Sequence, residues 1–266
     1  MIEGFEFKPR YTFGDLVAIM TLLRGENGCP WDREQTHESI RKNLIEETYE
    51  VVEAIDNKDR ALLREELGDV LLQVVFHAEM ERQAGGFDIG DVSDGICRKL
   101  IERHPHIFGD VSADTSAQVL KNWDEIKKRE KGQSSQAEVL ETVPRVLPAL
   151  MRSHKVQQKA AKSGFDWPDV SGAIEKTHEE LGELEQAVAA GEKTAAAQEL
   201  GDLLFSVVNV ARFIGAEPEE SLTWACDKFI ARFTLVERLA KSRGIEMRSA
   251  SPAALDALWE EAKLVL

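Results

Sequence analysis

Two short acidic patterns carry the chemistry legible in this chain: Glu179-Glu180-x-x-Glu183 and, sixteen residues after Glu183, Glu199-x-x-Asp202. On a helix, residues three apart share a face, so Glu180 with Glu183, and Glu199 with Asp202, each form a carboxylate pair pointing one way. Two such helices joined by a turn near Ala190-Gly191-Glu192 pack antiparallel and gather four carboxylates. Like charges ~4 Å apart repel by about 4 kcal/mol at an effective dielectric near 20, so the cluster calls for a cation. Hard divalent ions, magnesium above all, suit an all-oxygen donor set. The bland alternative is a solvated acidic face, since 48 Asp and Glu in 266 residues make single matches common.

A second copy separates these readings. Glu46-Glu47-x-x-Glu50 is followed by Glu66-x-x-Asp69, and Glu180, Glu183, Glu199 and Asp202 each stand 133 positions after Glu47, Glu50, Glu66 and Asp69. A whole domain is duplicated. Lys99-x-x-x-Arg103 and Lys228-x-x-x-Arg232 correspond at an offset of 129, and Trp123-x-x-x-Lys127 and Trp259-x-x-x-Lys263 at 136, as do Trp31 and Trp167. Only the intervening loops changed length.

The elements that must position these residues are all helices. Apolar periodicity and its breaks predict helices over about 12–24, 36–56, 60–83, 89–103 and 116–131, then 150–162, 170–190, 193–214, 218–243 and one opened by Pro252. Gly28-Cys-Pro-Trp31-Asp32 and Gly164-Phe-Asp-Trp167-Pro168 read as turns. No segment alternates with period two, so the fold class is all-α, as tandem modules over 1–131 and 149–266. Gly132-Gln-Ser-Ser-Gln-Ala and the prolines that follow form a linker, 132–148.

Each half thus supplies four acids on two helices, two cations on a third and an aromatic with a cation on a fourth. Metal on the oxygens near a reacting phosphorus, with Lys and Arg on the leaving phosphates, is what a polyphosphate requires. A tryptophan adds base stacking. There is no G-x-x-x-x-G-K-S/T or G-x-G-x-x-G loop, so side chains and metal must hold the phosphates. The halves differ in two places. Lys176 stands one turn before Glu180 where Asn43 precedes Glu47, and Asn209 stands seven residues after Asp202 where Phe76 follows Asp69. The C-terminal half therefore reads as the catalytic one, and Glu47, Glu50, Glu66 and Asp69 as a second metal site of structural, regulatory or weakly catalytic use.

The net charge of −15 argues against DNA or RNA as partner. The apolar runs are too short to span a membrane, and the N-terminus has neither a basic nor an apolar signal region, which points to the cytoplasm. Cys29, Cys97 and Cys226 read as reduced thiols. Glu34-x-x-His37 and Glu175-x-x-His178 match a di-iron pattern but are not equivalent in the duplication. A helical adaptor with solvated acidic faces is the non-enzymatic alternative. His104-Pro-His106 reads as a helix end, and Trp31 and Trp167 either cap a pocket or pack their turns.

The chain resembles the MazG family of all-α nucleoside triphosphate pyrophosphohydrolases along essentially its whole length. The resemblance rests on Gly-Cys-Pro-Trp-Asp at 28–32, Glu-Arg-His-Pro-His-Ile-Phe at 102–108, Leu-Pro-Ala-Leu-Met-Arg at 147–152, Gly-Phe-Asp-Trp at 164–167 and both acidic units. It implies hydrolysis of (d)NTP to (d)NMP and pyrophosphate in nucleotide house-cleaning, with magnesium or a manganese substitute, by a homodimer of tandem four-helix modules. It also implies metal on Glu180, Glu183, Glu199 and Asp202, and nucleotide contacts from Lys228, Arg232, Trp259 and Lys263. Lys176, Asn209 and Trp167 join the nucleotide-binding expectation, with Lys176, Lys228 and Arg232 assisting the reaction. Water attacks the α-phosphorus in line, and Glu179 and Glu180 both stand as the base.

Overall fold

Several helix starts in this chain are set by side chains that close the first turn. The Thr36 hydroxyl accepts from the Ser39 N–H while the Ser39 side chain returns to the Thr36 N–H, and Asp59 accepts from the Ala61 and Leu62 N–H groups. In the second copy the equivalent positions, Asp169 and Glu192, again precede helices. The duplication therefore holds in helical register as well as in sequence. The computed structural model describes residues 5–265, apart from 117, 120, 121, 124, 125 and 127–134. These fold all-α, with no strand among the described residues, and the chain divides into two compact units, Met1–Lys127 and Lys128–Leu266.

The first unit contains α1 (Phe13–Arg24), α2 (Pro30–Glu34), α3 (His37–Asp56), α4 (Arg60–Ala84), α5 (Ile89–Arg103) and α6 (Pro105–Phe108). α3 and α4 form its main hairpin, and α1 packs on α4. Met20, Ile40, Val75, Phe76 and Met80 are its buried core. Phe76, the position that Asn209 occupies in the other copy, is thus a core residue. Buried Glu79 sits beside that core, where it accepts from Arg82 Nε at 2.7 Å and Nη2 at 2.8 Å, from Gln83 at 3.1 Å and from Thr21 of α1 at 3.1 Å. α2 occupies part of the expected Gly28–Asp32 turn. A Cβ at Gly28 would overlap the Leu23 carbonyl oxygen, so only glycine lets the chain close on the end of α1.

The second unit contains α7 (Gln136–Glu141), α8 (Ala149–Lys162), α9 (Val170–Ala189), α10 (Lys193–Phe213), α11 (Pro218–Ser242) and α12 (Pro252–Lys263). α9 and α10 form the hairpin equivalent to α3 and α4, α8 packs on α10, and α11 packs on α12. Val236, Ala240, Leu258 and Ala262 form the buried seam between α11 and α12. Part of the stretch read as a linker is built: α7 packs on α8, and Val143 is buried. Lys127 and most of the helix expected over 116–131 lie outside the described residues, as does the start of that linker.

The third helices of the copies differ. α5 stops at Arg103, where His104 Nδ1 bonds the Leu100 carbonyl and Pro105 follows, whereas α11 runs on to Ser242. No helix among the described residues is long and apolar enough to cross a membrane.

Candidate functional site

The α9–α10 hairpin turns on Gly191, a left-handed residue (φ 74°), which brings the two acidic motifs opposite one another. Glu180, Glu199 and Asp202 each offer a carboxylate oxygen, and the three atoms lie within 4.8 Å of one another. Glu183 stands beside this triple and not within it. Its carboxyl is held above the usual range by burial, then by the charges of Glu180 and Glu199. In the first unit Glu47, Glu66 and Asp69 make the same triple, with Glu50 beside it. There burial and then Asp69 raise Glu47, while burial and then Glu50 raise Glu66.

Glu180 is buried, at 6% exposure. Its Oε1 lies 2.7 Å from Lys176 Nζ, while its Oε2 is buried with no hydrogen-bond partner. Lys176 also reaches Glu179 Oε1 at 2.9 Å, and the hydrogen bonds to Glu180 and then Glu179 hold its ammonium well above the ordinary lysine range. A buried carboxylate oxygen without a partner is costly. An all-oxygen donor set with such an orphan fits a hard divalent cation, which would satisfy Oε2 and offset the repulsion that raises Glu183. Asn43, which replaces Lys176 in the other copy, offers the corresponding acids no ammonium.

The remaining expected residues are distributed as follows. Lys228 and Arg232 lie on α11, whose packing partners are α12, α8 and, to a smaller extent, α10. Among the described residues no ion pair joins either cation to the acidic triple. Arg232 Nε is buried without a hydrogen-bond partner. Trp259 on α12 tilts against Phe229 at 5.2 Å between ring centroids and lines an apolar groove with Phe233, Met247 and Leu255. Lys263 pairs with Glu260 at 2.6 Å. The Trp167 indole lies on Gly172, where a Cβ would come within 2.8 Å of the ring, so this tryptophan packs its turn onto the first turns of α9.

Asn209 is placed by a contact that spacing did not reveal. Its Oδ1 accepts from Arg212 Nε at 3.0 Å and Nη2 at 2.8 Å, and Arg212 grips Asp166 of the 164–167 turn through both terminal nitrogens. The Asn209 oxygen is therefore committed to holding that turn, and its amide is the group it can turn to a ligand. The Glu34 and His37 of the di-iron pattern fall on separate helices, α2 and α3, so they do not share a helical face. His37 instead meets His77 and Glu81 of α4, a grouping that only the 133-residue offset could have flagged, because its counterparts are Val170, Val210 and Ile214.

Comparison with known proteins bears on this arrangement directly. Residues 35–108 and again 170–236 match the MazG nucleotide pyrophosphohydrolase domain. The chain is 46% identical over 251 residues to the nucleoside triphosphate pyrophosphohydrolase/pyrophosphatase MazG of Thermotoga maritima, covering 94% of this chain and 95% of that protein. It is 44% identical over 251 residues to the nucleoside triphosphate pyrophosphohydrolase of Escherichia coli K12, covering 93% and 95%. It is also 48% identical over 254 residues to YabN of Bacillus subtilis, covering 95% of this chain and 52% of that protein. Both matched stretches contain a complete acidic unit and its Lys/Arg pair, and with the identity to these relatives the chain belongs to the MazG nucleotide pyrophosphohydrolase family.

Proposed function

We propose that this chain is a nucleoside triphosphate pyrophosphohydrolase acting from its C-terminal module, converting ribo- or deoxyribonucleoside triphosphate and water to the monophosphate and pyrophosphate. The observation that carries the assignment to this module is Glu180: one oxygen on Lys176, the other buried and unpartnered. The names of the Thermotoga maritima and Escherichia coli relatives support the reaction.

Glu180, Glu199 and Asp202, with Glu183 beside them, would hold a divalent cation, magnesium or its manganese substitute. When bound, that ion supplies positive charge to the phosphoryl oxygens as electrons shift toward the leaving group. Glu179 is the exposed acid next to the cluster, tied to it through Lys176, and takes the proton from the attacking water. The bond from the α-phosphorus to its bridging oxygen breaks as the new one forms in line, and pyrophosphate departs with its charge met by Lys176, Lys228, Arg232 and Lys263. The unpartnered Arg232 Nε supports an anion-binding role. Trp259 offers an aromatic face for the base, Asn209 its amide, and Trp167 a wall where its turn meets α9.

The domain division that goes with this reading is 1–131, a connection over 132–148, and 149–266. The protein works in the cytoplasm on small nucleotides, with neither nucleic acid polymers nor membranes as partners. A homodimer completes the assignment, supported by the apolar side chains that each unit leaves exposed.

Pyrophosphate release from a panel of NTPs and dNTPs tests the proposal. Chelation of divalent ions abolishes turnover; Glu180→Gln loses about 100-fold or more, about 2.7 kcal/mol of barrier; Glu47→Gln keeps most activity. Near wild-type rates for Glu180→Gln would refute the assignment to this module.

A further inference from the structure

Besides the acidic triples, the first unit gathers three side chains able to bind metal from two helices. His37 is the first residue of α3, and His77 and Glu81 lie one turn apart on α4. The two imidazole planes are 3° from parallel, and the rings meet edge to edge, their Nδ1 atoms facing each other at 2.7 Å. His37 Nε2 lies 2.9 Å from Glu81 Oε1.

A carboxylate accepts, so His37 donates from Nε2 to Glu81, and in the neutral ring this leaves the Nδ1 lone pair toward His77. A carboxylate receiving one ring N–H while the other ring nitrogen points at a shared spot is how proteins orient a metal-bound imidazole. We propose that His37 and His77 form a site for one borderline divalent transition-metal ion of the zinc, cobalt and nickel class, with Glu81 as the positioning residue for His37.

Binding needs side-chain rotation of the two rings and no change in the helices. Zinc–nitrogen bonds of about 2.0–2.1 Å at a tetrahedral angle place two nitrogens roughly 3.3 Å apart, so the rings separate by about 0.6 Å and each tilts by roughly 35° to turn its lone pair onto the ion. His77 moves its proton from Nδ1 to Nε2, and with both rings neutral no net proton is released. The His37 side chain is 41% exposed, which leaves room for waters to complete the coordination. Nitrogen donors favour these ions over magnesium. His37 lies ten residues before Glu47 on the same helix, about 15 Å along its axis, so this is not the acidic cluster.

The duplication supplies an independent argument. The positions equivalent to His37, His77 and Glu81 are Val170, Val210 and Ile214, on a hairpin with the same helix starts. The hairpin therefore forms without the three polar residues, which are present together in one copy and replaced together in the other. A requirement of folding would not produce that difference; a ligand peculiar to the first module would.

Cobalt(II) added to the full-length protein in excess magnesium, which saturates the acidic clusters, tests the site. The expected result is one equivalent bound, with visible ligand-field absorption and no thiolate charge-transfer band. His37→Val and His77→Val, which install the residues of the other copy, each abolish binding, and Glu81→Gln weakens it about 10- to 100-fold. In the unaltered protein, zinc shifts the Nδ1 nuclear magnetic resonances of two histidines, a readout that does not depend on any variant folding. No cobalt bound, a thiolate band, binding retained in both valine variants, or unmoved histidine Nδ1 signals would each overturn the proposal.

Discussion

Lys176 Nζ bridges two adjacent acids, 2.7 Å from Glu180 Oε1 and 2.9 Å from Glu179 Oε1. One ammonium thus occupies the buried carboxylate that a divalent ion would also use, and the two cations compete for the same negative charge. Lys176→Met is expected to tighten magnesium binding severalfold by calorimetry. It is also expected to lower pyrophosphate release about tenfold or more, since a charge facing the phosphates is lost, about 1.4 kcal/mol of barrier. Unchanged magnesium affinity would show that the bridge is incidental.

Ile230 on α11 is 61% exposed, and Phe229 and Phe233 on the same helix are also exposed, beyond what the α11–α12 seam covers. A second copy would bury this surface. Ile230→Asp should halve the mass measured by light scattering while circular dichroism stays unchanged; a dimer that survives the substitution removes α11 from the interface.

Glu79 ties α1 to α4. Burial disfavours its charged form, but bonds from Arg82, Thr21 and Gln83 outweigh it and hold the carboxyl below the ordinary range. With the folded value depressed, its stabilisation is complete above the unfolded value near 4.3 and disappears as pH falls through the folded one. Arg82 is half exposed, which limits the ion pair's share. Glu79→Gln should cost about 1–3 kcal/mol at pH 7 in urea unfolding, and the difference from the parent protein should shrink on acidification. A difference independent of pH would contradict this account.

Lys58 sits at the α3–α4 corner with φ 55°, the left-handed conformation that Gly191 adopts at the equivalent corner of α9 and α10. A side chain there is strained, whereas glycine is not, at some cost in unfolded-chain entropy. Lys58→Gly is expected to gain about 0.5–1 kcal/mol and raise the Tm by about 2 °C. Loss of stability would mean that the lysine makes a compensating contact.

Much of the architecture can be read along the chain because it rests on short-range causes. Apolar periodicity, Thr36 at a helix start, and Pro218 and Pro252 at first turns define α3, α4, α11 and the start of α12 within a residue or two. The repeated acidic spacing points to a group of four acids in each copy, because residues three apart share a helical face wherever the helix lies. The pairing of Lys176 with Glu180 is of the same kind, a four-residue separation on one helix.

Relationships across helices were not legible, because they depend on how far each helix is rotated and where it crosses its neighbour. His37 reaches His77 from 40 residues away, and Arg212 draws Asp166 from 46 residues away while taking the Asn209 oxygen. The sequence by itself determined that there are two copies of an acidic hairpin and which acids share a face of each helix. Only the tertiary structure decided that Glu183 stands outside its triple, that Glu180 keeps an orphaned oxygen, and that Lys228 and Arg232 lie on a helix packed chiefly against α12 and α8. Spacing fixes angles around one axis, whereas distances between side chains on different axes are set by packing.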